Sequence, residues 1–391
     1  MSFLYDNRYA LLFYGLIILL LIINRKKFEI HAKIIALYKT KIGIRLMDKW
    51  AEKYKGFVQI FGYSGIGVGF ATMVFVVLML MLNLYNLVTK PDAVSGVSPV
   101  VPGLQIPGSG IFVPLVIGWI ALFIIIVVHE FAHGVVARAH DVKVKSSGLL
   151  FFGPIMGAFV EPDEKELAKK DPSVQYSIFA AGSFSNIILA FFVFVLLLGI
   201  VPLKDSMTEP IGFSIGGLVK DFPAEKSGLK AGDIVIGING KEIKIHDEFQ
   251  KEYQFTRPGE EVTIKTSSGS YTIKTIENEK DGRAMVGISN LKDEVRLKNK
   301  SSLHKIIYSI LIFIEDFLKW TYVLALGIGV INLLPLGPID GGRMMKTALE
   351  QIMKDKRKAL VVFSRITAFS IIILALNIFY PGLKFLGGKI F

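Results

Sequence analysis

The residues with the clearest chemistry are His129-Glu130-Phe131-Ala132-His133. Residues four apart lie on one face of an α-helix, so His129 and His133 can donate nitrogens to one metal ion. Glu130 projects from the adjacent face, where it can take a proton from a water beside that ion. The bland alternative is a pair of buried histidines in a helix–helix hydrogen-bond network. The preceding residues, 120–128, are wholly apolar. A carboxylate on such a helix costs on the order of 3 kcal/mol to insert into a bilayer and needs a partner or a wet cavity. The chain has no cysteine, which excludes disulfides, thiolate metal sites and a cysteine nucleophile. Any metal must therefore be held by His, Asp or Glu.

A catalytic ion with one open position needs a third protein ligand. A candidate lies in Asn332-Leu333-Leu334-Pro335-Leu336-Gly337-Pro338-Ile339-Asp340-Gly341-Gly342. Two prolines and the nearby glycines cannot continue an unbroken helix, and irregular backbone at membrane depth survives only where protein or a water-filled cavity surrounds it. Asp340 is the carboxylate that this stretch offers as a candidate. Zinc suits two imidazoles and a carboxylate, although iron or cobalt also suit that set.

These residues must be positioned by membrane helices. Mean hydropathy is +0.51, and 52% of residues are apolar, too much for an ordinary soluble protein. We expect about six transmembrane helices, near residues 9–24, 64–88, 111–137, 176–201, 320–340 (interrupted by prolines) and 360–379. The first has no small-x-small cleavage site after it and reads as an anchor. The segment 304–319 carries four charged residues beyond His304 and reads either as an interfacial helix or as an extension of the fifth span. The formal net charge of +12 resides beside the apolar segments, as expected for charges that fix topology, and no basic patch has the interleaved aromatics of a nucleic-acid reader. Residues 25–56 hold ten Lys or Arg, residues 138–173 six and residues 343–358 six, whereas 89–110 hold only Lys90. The positive-inside rule puts these three basic loops in the cytoplasm and both termini outside. His129, His133 and Asp340 then share a depth near the cytoplasmic face.

Residues 205–297 break the hydropathy pattern. Alternating stretches at 233–238, 261–266 and 271–276 read as strands, punctuated by Gly228, Gly232, Asn239-Gly240 and Pro258-Gly259. The run GLKAGDIVIGINGKEI (228–243) resembles a bacterial-type PDZ domain, with a helix expected at 246–254. Such domains bind extended peptides at a sheet edge. A rigid plug that binds nothing is the plainer reading. The fold class is thus an α-helical polytopic membrane protein with an inserted small β-rich PDZ-like domain. Its expected divisions are 1–110 (N-terminal helices and a basic loop), 111–204 (first half of the catalytic core), 205–297 (the insert) and 298–391 (second half of the core).

HEFAH in one span and NLLPLGPIDGG in a later one together resemble the paired motifs of the site-2 protease family of intramembrane zinc metalloproteases. The resemblance implies one zinc ion per active site on His129, His133 and Asp340, with Glu130 as general base. It implies transmembrane protein substrates in the lipid bilayer, no nucleic-acid partner, and a peptide ligand as one option for the PDZ-like domain. The segment GPIMGAFVEPDE (153–164) is similar to the family's membrane-embedded hairpin. If extended, it could pair with an unwound substrate through residues such as Gly157 and Phe159, or it could simply fill space. Gly182-Ser183-Phe184-Ser185-Asn186 resembles the family's Gly-Pro-x-x-Asn motif, with Ser183 where Pro is usual. Asn186 and Asn332 are candidates either for substrate contact or for bonding a neighbouring helix. The competing classes are a membrane-anchored zinc metalloprotease with an extramembrane active site, a transporter built on discontinuous helices, and an inactive relative. The residues Glu130 and Asp340 argue for the intramembrane protease.

Overall fold

In lipid every backbone N–H and C=O must be satisfied within its own segment, so long apolar runs become helices. A computed structural model describes residues 5–31, 35–90, 93, 95–104, 111–278 and 282–387. Helix α1 (Arg8–Ile23) is apolar but only 16 residues long. It precedes strands β1 (Glu29–His31) and β2 (Ile35–Thr40) and helix α2 (Ile44–Lys53). Helices α3 (Lys55–Thr89), α4 (Leu115–Ala139) and α5 (Pro172–Ser206) follow, with strands β3 (Val144–Phe152) and β4 (Ile155–Pro162) between the last two. Among the described residues, α3, α4, α5 and the segment Lys356–Tyr380 are the four helices long and apolar enough to cross a membrane. The chain forms two compact units, one of Met1–Leu197 with Asp316–Phe391 and one of Leu198–Glu315.

In the first unit, small residues let the helices approach closely. A Cβ at Gly62 would lie 2.9 Å from Val136, one at Gly65 3.2 Å from Phe184, and one at Gly69 2.8 Å from Met344. Around them lies a core of Val135, Val136, Ile178, Ala180, Leu333 and Met344. Strands β1 to β4 form one antiparallel sheet in that order. The β3–β4 hairpin turns on Gly153-Pro154, with Gly153 at φ +56°, the positive value that a two-residue hairpin turn asks of its first central residue. The outer half of the sheet comes from a distant loop, since β2 pairs with β3 from Ile35↔Phe152 to Thr40↔Ser147. Two of the three basic loops therefore share a sheet and lie on one side of the helices. An ion pair between Arg138 and Asp48 and an edge-on contact between Trp50 and Phe131 fasten α2 to α4.

The second unit is built on strands β5 (Thr208–Leu218), β6 (Ile234–Ile238), β7 (Lys241–Glu242), β8 (Glu261–Thr266), β9 (Ser270–Lys274), β10 (Ile276–Glu277), β11 (Ala284–Met285) and β12 (Ile288–Leu297), with helix α6 (His246–Tyr253). Its main sheet has the order β12-β5-β6-β8-β9, with β7 on β6, around Phe213, Ile215, Val235, Val262 and Ile264. Asn239 and Gly240 both have positive φ (49° and 83°) in the two-residue turn from β6 to β7, which accounts for the Asn-Gly pair there. Strand β12 forms an edge of this sheet, and the N–H of His246 at the start of α6 donates to Asp293 on it (2.7 Å).

Helix α7 (Ser302–Ile331) is continuous, so residues 304–319 extend the following apolar helix instead of forming a separate surface segment. The interruption expected within 320–340 is present: α7 stops at Ile331, residues 332–339 form a tight turn, and α8 (Asp340–Met353) begins at Asp340 itself. Pro335 and Pro338 lack the N–H groups that a continuing helix requires. The carbonyl of Asn332 instead accepts from Gly341 N–H (2.8 Å). Helix α9 (Lys356–Gly387) completes the unit.

Candidate metal centre

Helix α4 carries His129, Glu130 and His133 in its C-terminal half, and the turn after α7 delivers Asp340 to them. His133 Nε2 lies 3.2 Å from His129 Nε2 and 3.3 Å from Asp340 Oδ1, and His129 Nε2 lies 3.4 Å from Asp340 Oδ2. A tetrahedral ion with bonds of about 2.0–2.1 Å holds its ligand atoms about 3.3–3.4 Å apart. The His133–His129 and His133–Asp340 separations lie close to that edge, and one nitrogen from each ring and one carboxylate oxygen all lie within 4.8 Å of one another. Among the described residues this is the one group of three such side chains that could hold an ion.

The ring chemistry fits as well. His133 Nδ1 is 2.7 Å from the carbonyl of Ile178, which can only accept, so Nδ1 carries the proton and Nε2 keeps its lone pair. Space for both rings comes from Gly182 on α5. A Cβ there would lie 2.3 Å from His133 Nε2 and 2.6 Å from His129 Nε2. Ser183 Oγ donates to Asp340 Oδ2 (2.7 Å). The turn before Asp340 is equally tight, because a Cβ at Gly342 would meet the carbonyl oxygen of Leu336 at 1.8 Å.

Glu130 accepts from the N–H of Val160 on β4 (2.9 Å). Antiparallel pairing directs alternate residues toward the neighbouring strand. Since Val160 points its N–H away from β3, so do Ala158 and Met156, while Gly157 and Phe159 pair toward Leu150 and Gly148. Strand β4 is the edge of its sheet, and Arg343 on α8 reaches Glu164 just beyond it (2.7 Å).

Of the other sequence candidates, Asn186 is fully buried with its amide 3.1 Å from His129 Nδ1. Asn332 is half-buried beside the turn that precedes Asp340. Gly157 and Phe159 are half-buried on β4. The contacts of Gly182 and Ser183 are not legible in the sequence. Their motif is visible there, but nothing in a run of small residues within a span distinguishes a ligand cradle from helix packing.

A family model for peptidase family M50 matches residues 117–374. An uncharacterized protein of Methanocaldococcus jannaschii is 29% identical over 334 residues, covering 85% of this chain and 82% of that protein. Zinc metalloprotease RasP of Oceanobacillus iheyensis is 23% identical over 242 residues, covering 49% of this chain and 55% of RasP. RasP of Geobacillus kaustophilus is 24% identical, covering 49% and 54%. The crystal structure of the PDZ domain of an SdrC-like protein from Listeria monocytogenes is similar at 28% identity, covering 20% of this chain and 86% of that one, with a TM-score of 0.19.

Proposed function

The chain belongs to peptidase family M50, the site-2 protease family of zinc metalloendopeptidases, and from that premise we propose that it hydrolyses peptide bonds within or near transmembrane segments of membrane proteins. The observation that carries the proposal is the convergence of His129, His133 and Asp340 within 4.8 Å on or beside apolar helices of membrane-spanning length. In this reading these three side chains hold zinc, and Glu130 is the general base. The bound ion supplies Lewis acidity, which lowers the pKa of water and polarises a carbonyl.

The protein's own residues supply the rest. Glu130 accepts a proton from the attacking water and returns it to the departing amine. Val160 N–H holds one oxygen of that carboxylate at 2.9 Å and so orients the base. A helical substrate has its carbonyls bonded to its own N–H groups, so a segment must unwind before cleavage, and the freed groups need partners in lipid. The outward backbone groups of Met156 and Ala158 supply such partners at the open edge of β4. Six spans are part of this reading, α1 and the apolar half of α7 joining the four long helices. The basic loops then lie in the cytoplasm of a cell membrane, and the PDZ-like insert lies outside. There the insert either limits access to substrates whose outer part has been shortened or captures newly exposed C-termini.

The test compares wild type with Glu130→Gln in proteoliposomes containing a transmembrane substrate. Both proteins are expected to bind one zinc ion, and cleavage by the variant should fall by about 10²–10⁴-fold. Equal cleavage would refute the assignment of the base. Cleavage confined to bonds in soluble loops would refute the intramembrane reading.

A further inference from the structure

Helix α5 supplies an outer contact for every residue of the proposed metal set. Ile178 O faces His133 Nδ1 (2.7 Å), Ser183 Oγ donates to Asp340 Oδ2 (2.7 Å), and the Asn186 amide lies 3.1 Å from His129 Nδ1. Ile178, Gly182 and Asn186 follow at four-residue spacing, one face of the helix, with Ser183 beside them. The Ile178 contact already fixes His133 with its proton on Nδ1. For His129 two groups on α5 are placed for this task, the backbone carbonyl of Gly182 and the amide of Asn186, and Asn186 is the one that meets Nδ1.

The amide of Asn186 turns its NH₂ toward His129 Nδ1, and its Oδ1 is buried with no hydrogen-bond partner among the described residues. A donor facing Nδ1 requires that nitrogen to carry no proton. The proton of the neutral ring then sits on Nε2, the atom that converges with His133 and Asp340. A protonated Nε2 has no lone pair for a cation. Half a turn of the amide exchanges its two ends and places Oδ1 against Nδ1. The oxygen then accepts the Nδ1–H, which frees Nε2. Hydrogen bonds of this kind from an outer residue fix the tautomer and orientation of metal-bound histidines.

We propose that Asn186 and Ser183 are positioning residues of the metal centre: Asn186 accepts from His129 Nδ1–H through Oδ1, and Ser183 holds Asp340 Oδ2 so that Oδ1 faces the ion. The proposal rests on the assignment of zinc to His129, His133 and Asp340. It assigns Asn186 to the ion and not to the substrate. A proline, the residue that the family resemblance makes usual at position 183, has no hydroxyl, so the Ser183 contact is a feature of this chain.

The experiment uses the full chain, zinc-loaded in detergent, with zinc release to a chelator and the visible spectrum of the cobalt(II) form as readouts. Asn186→Leu removes the acceptor and should weaken zinc retention by about 10–100-fold. Asn186→Asp can only accept, so it should retain zinc within about threefold of wild type. Ser183→Ala should shift the cobalt spectrum and speed zinc release, and Ser183→Thr should restore both. Wild-type zinc retention in Asn186→Leu, with or without loss of cleavage, would overturn the proposal. So would zinc loss in Asn186→Asp equal to that of the leucine variant. His133→Ala serves as the separate control: if it too keeps its zinc, the metal assignment itself has failed. Thermal unfolding of each metal-free variant distinguishes a misfolded protein from one that only binds zinc weakly.

Discussion

At the residue scale, the centre depends as much on an absent side chain as on the ones that are present. Gly182 lies where a Cβ would come 2.3 Å from one imidazole nitrogen and 2.6 Å from the other. Gly182→Ala should favour the helix locally, since alanine is the better helix former by about 1 kcal/mol. It should nevertheless displace both rings and lower zinc retention and cleavage at least about 100-fold. Zinc analysis alongside thermal unfolding checks this, and a variant with full zinc content would contradict it. In the insert, Tyr253 has a buried hydroxyl without a hydrogen-bond partner among the described residues, and burial pushes its phenol up to about 12. Between about pH 10 and 12 the unfolded chain gives up this proton first, so its contribution to stability falls as pH rises. Tyr253→Phe keeps the stacking on Phe249. It should be neutral or up to about 1 kcal/mol stabilising, with a shallower alkaline loss, read by hydrogen exchange across the β-strands of the intact chain. His129, Glu130 and His133 were legible because an i, i+4 repeat fixes a shared face. Asp340 was legible because prolines and glycines interrupt an apolar span only where protein or water surrounds the backbone. Gly182 and Ser183 were not, since their partners lie on other helices.

At the element scale, β4 joins the sheet to the proposed base through Val160, and Met156 and Ala158 turn their backbone groups to the same unpaired edge of the sheet. Met156→Pro and Ala158→Pro each remove one outward N–H while sparing the bonds to β3. We expect cleavage of a transmembrane substrate to fall by about tenfold or more in each, with zinc content unchanged. Full cleavage by both variants would remove β4 from the substrate path. A hairpin in this region was expected only through the resemblance of residues 153–164 to the family's membrane-embedded hairpin, and the turn at Gly153-Pro154 was not read from the sequence. The hairpin's pairing with β2 was not read there either, because Lys39 and its basic neighbours read as a charged loop. The structure gives Lys39 an ion pair with Glu29 at 2.9 Å, and periodicity carries no information about a strand partner so distant in the chain. The interruption of the fifth apolar segment was expected from its prolines, but hydropathy marks the apolar content of a segment and not where a proline-rich turn begins.

At the scale of the whole molecule, the insert enters and leaves at one place. Thr208 pairs with Leu297 at the base of the β5–β12 ribbon, and Lys298 N–H donates to Met207 O (3.1 Å). A folded unit whose ends adjoin can be removed with little disturbance to the helices that carry it. Deleting residues 211–290 should therefore leave zinc binding intact, and the cleavage pattern separates two roles. Cleavage of substrates with intact outer domains indicates a filter, and loss of cleavage indicates a capture device. The break in hydropathy at 205–297 falls within the compact unit Leu198–Glu315, whereas the coming together of the strands at its ends required the strand register.

Strand β2 also acts as a cover. It occupies the long edge of β3 from Ser147 to Phe152, a row that includes Leu149, Leu150 and Phe151. A chain shortened to begin at Ile44 would keep the proposed zinc ligands and yet bare that edge. Exposed apolar edges recruit further strands. The truncated protein should therefore self-associate, and crosslinking at β3 should trap pairs of molecules that the full chain does not form.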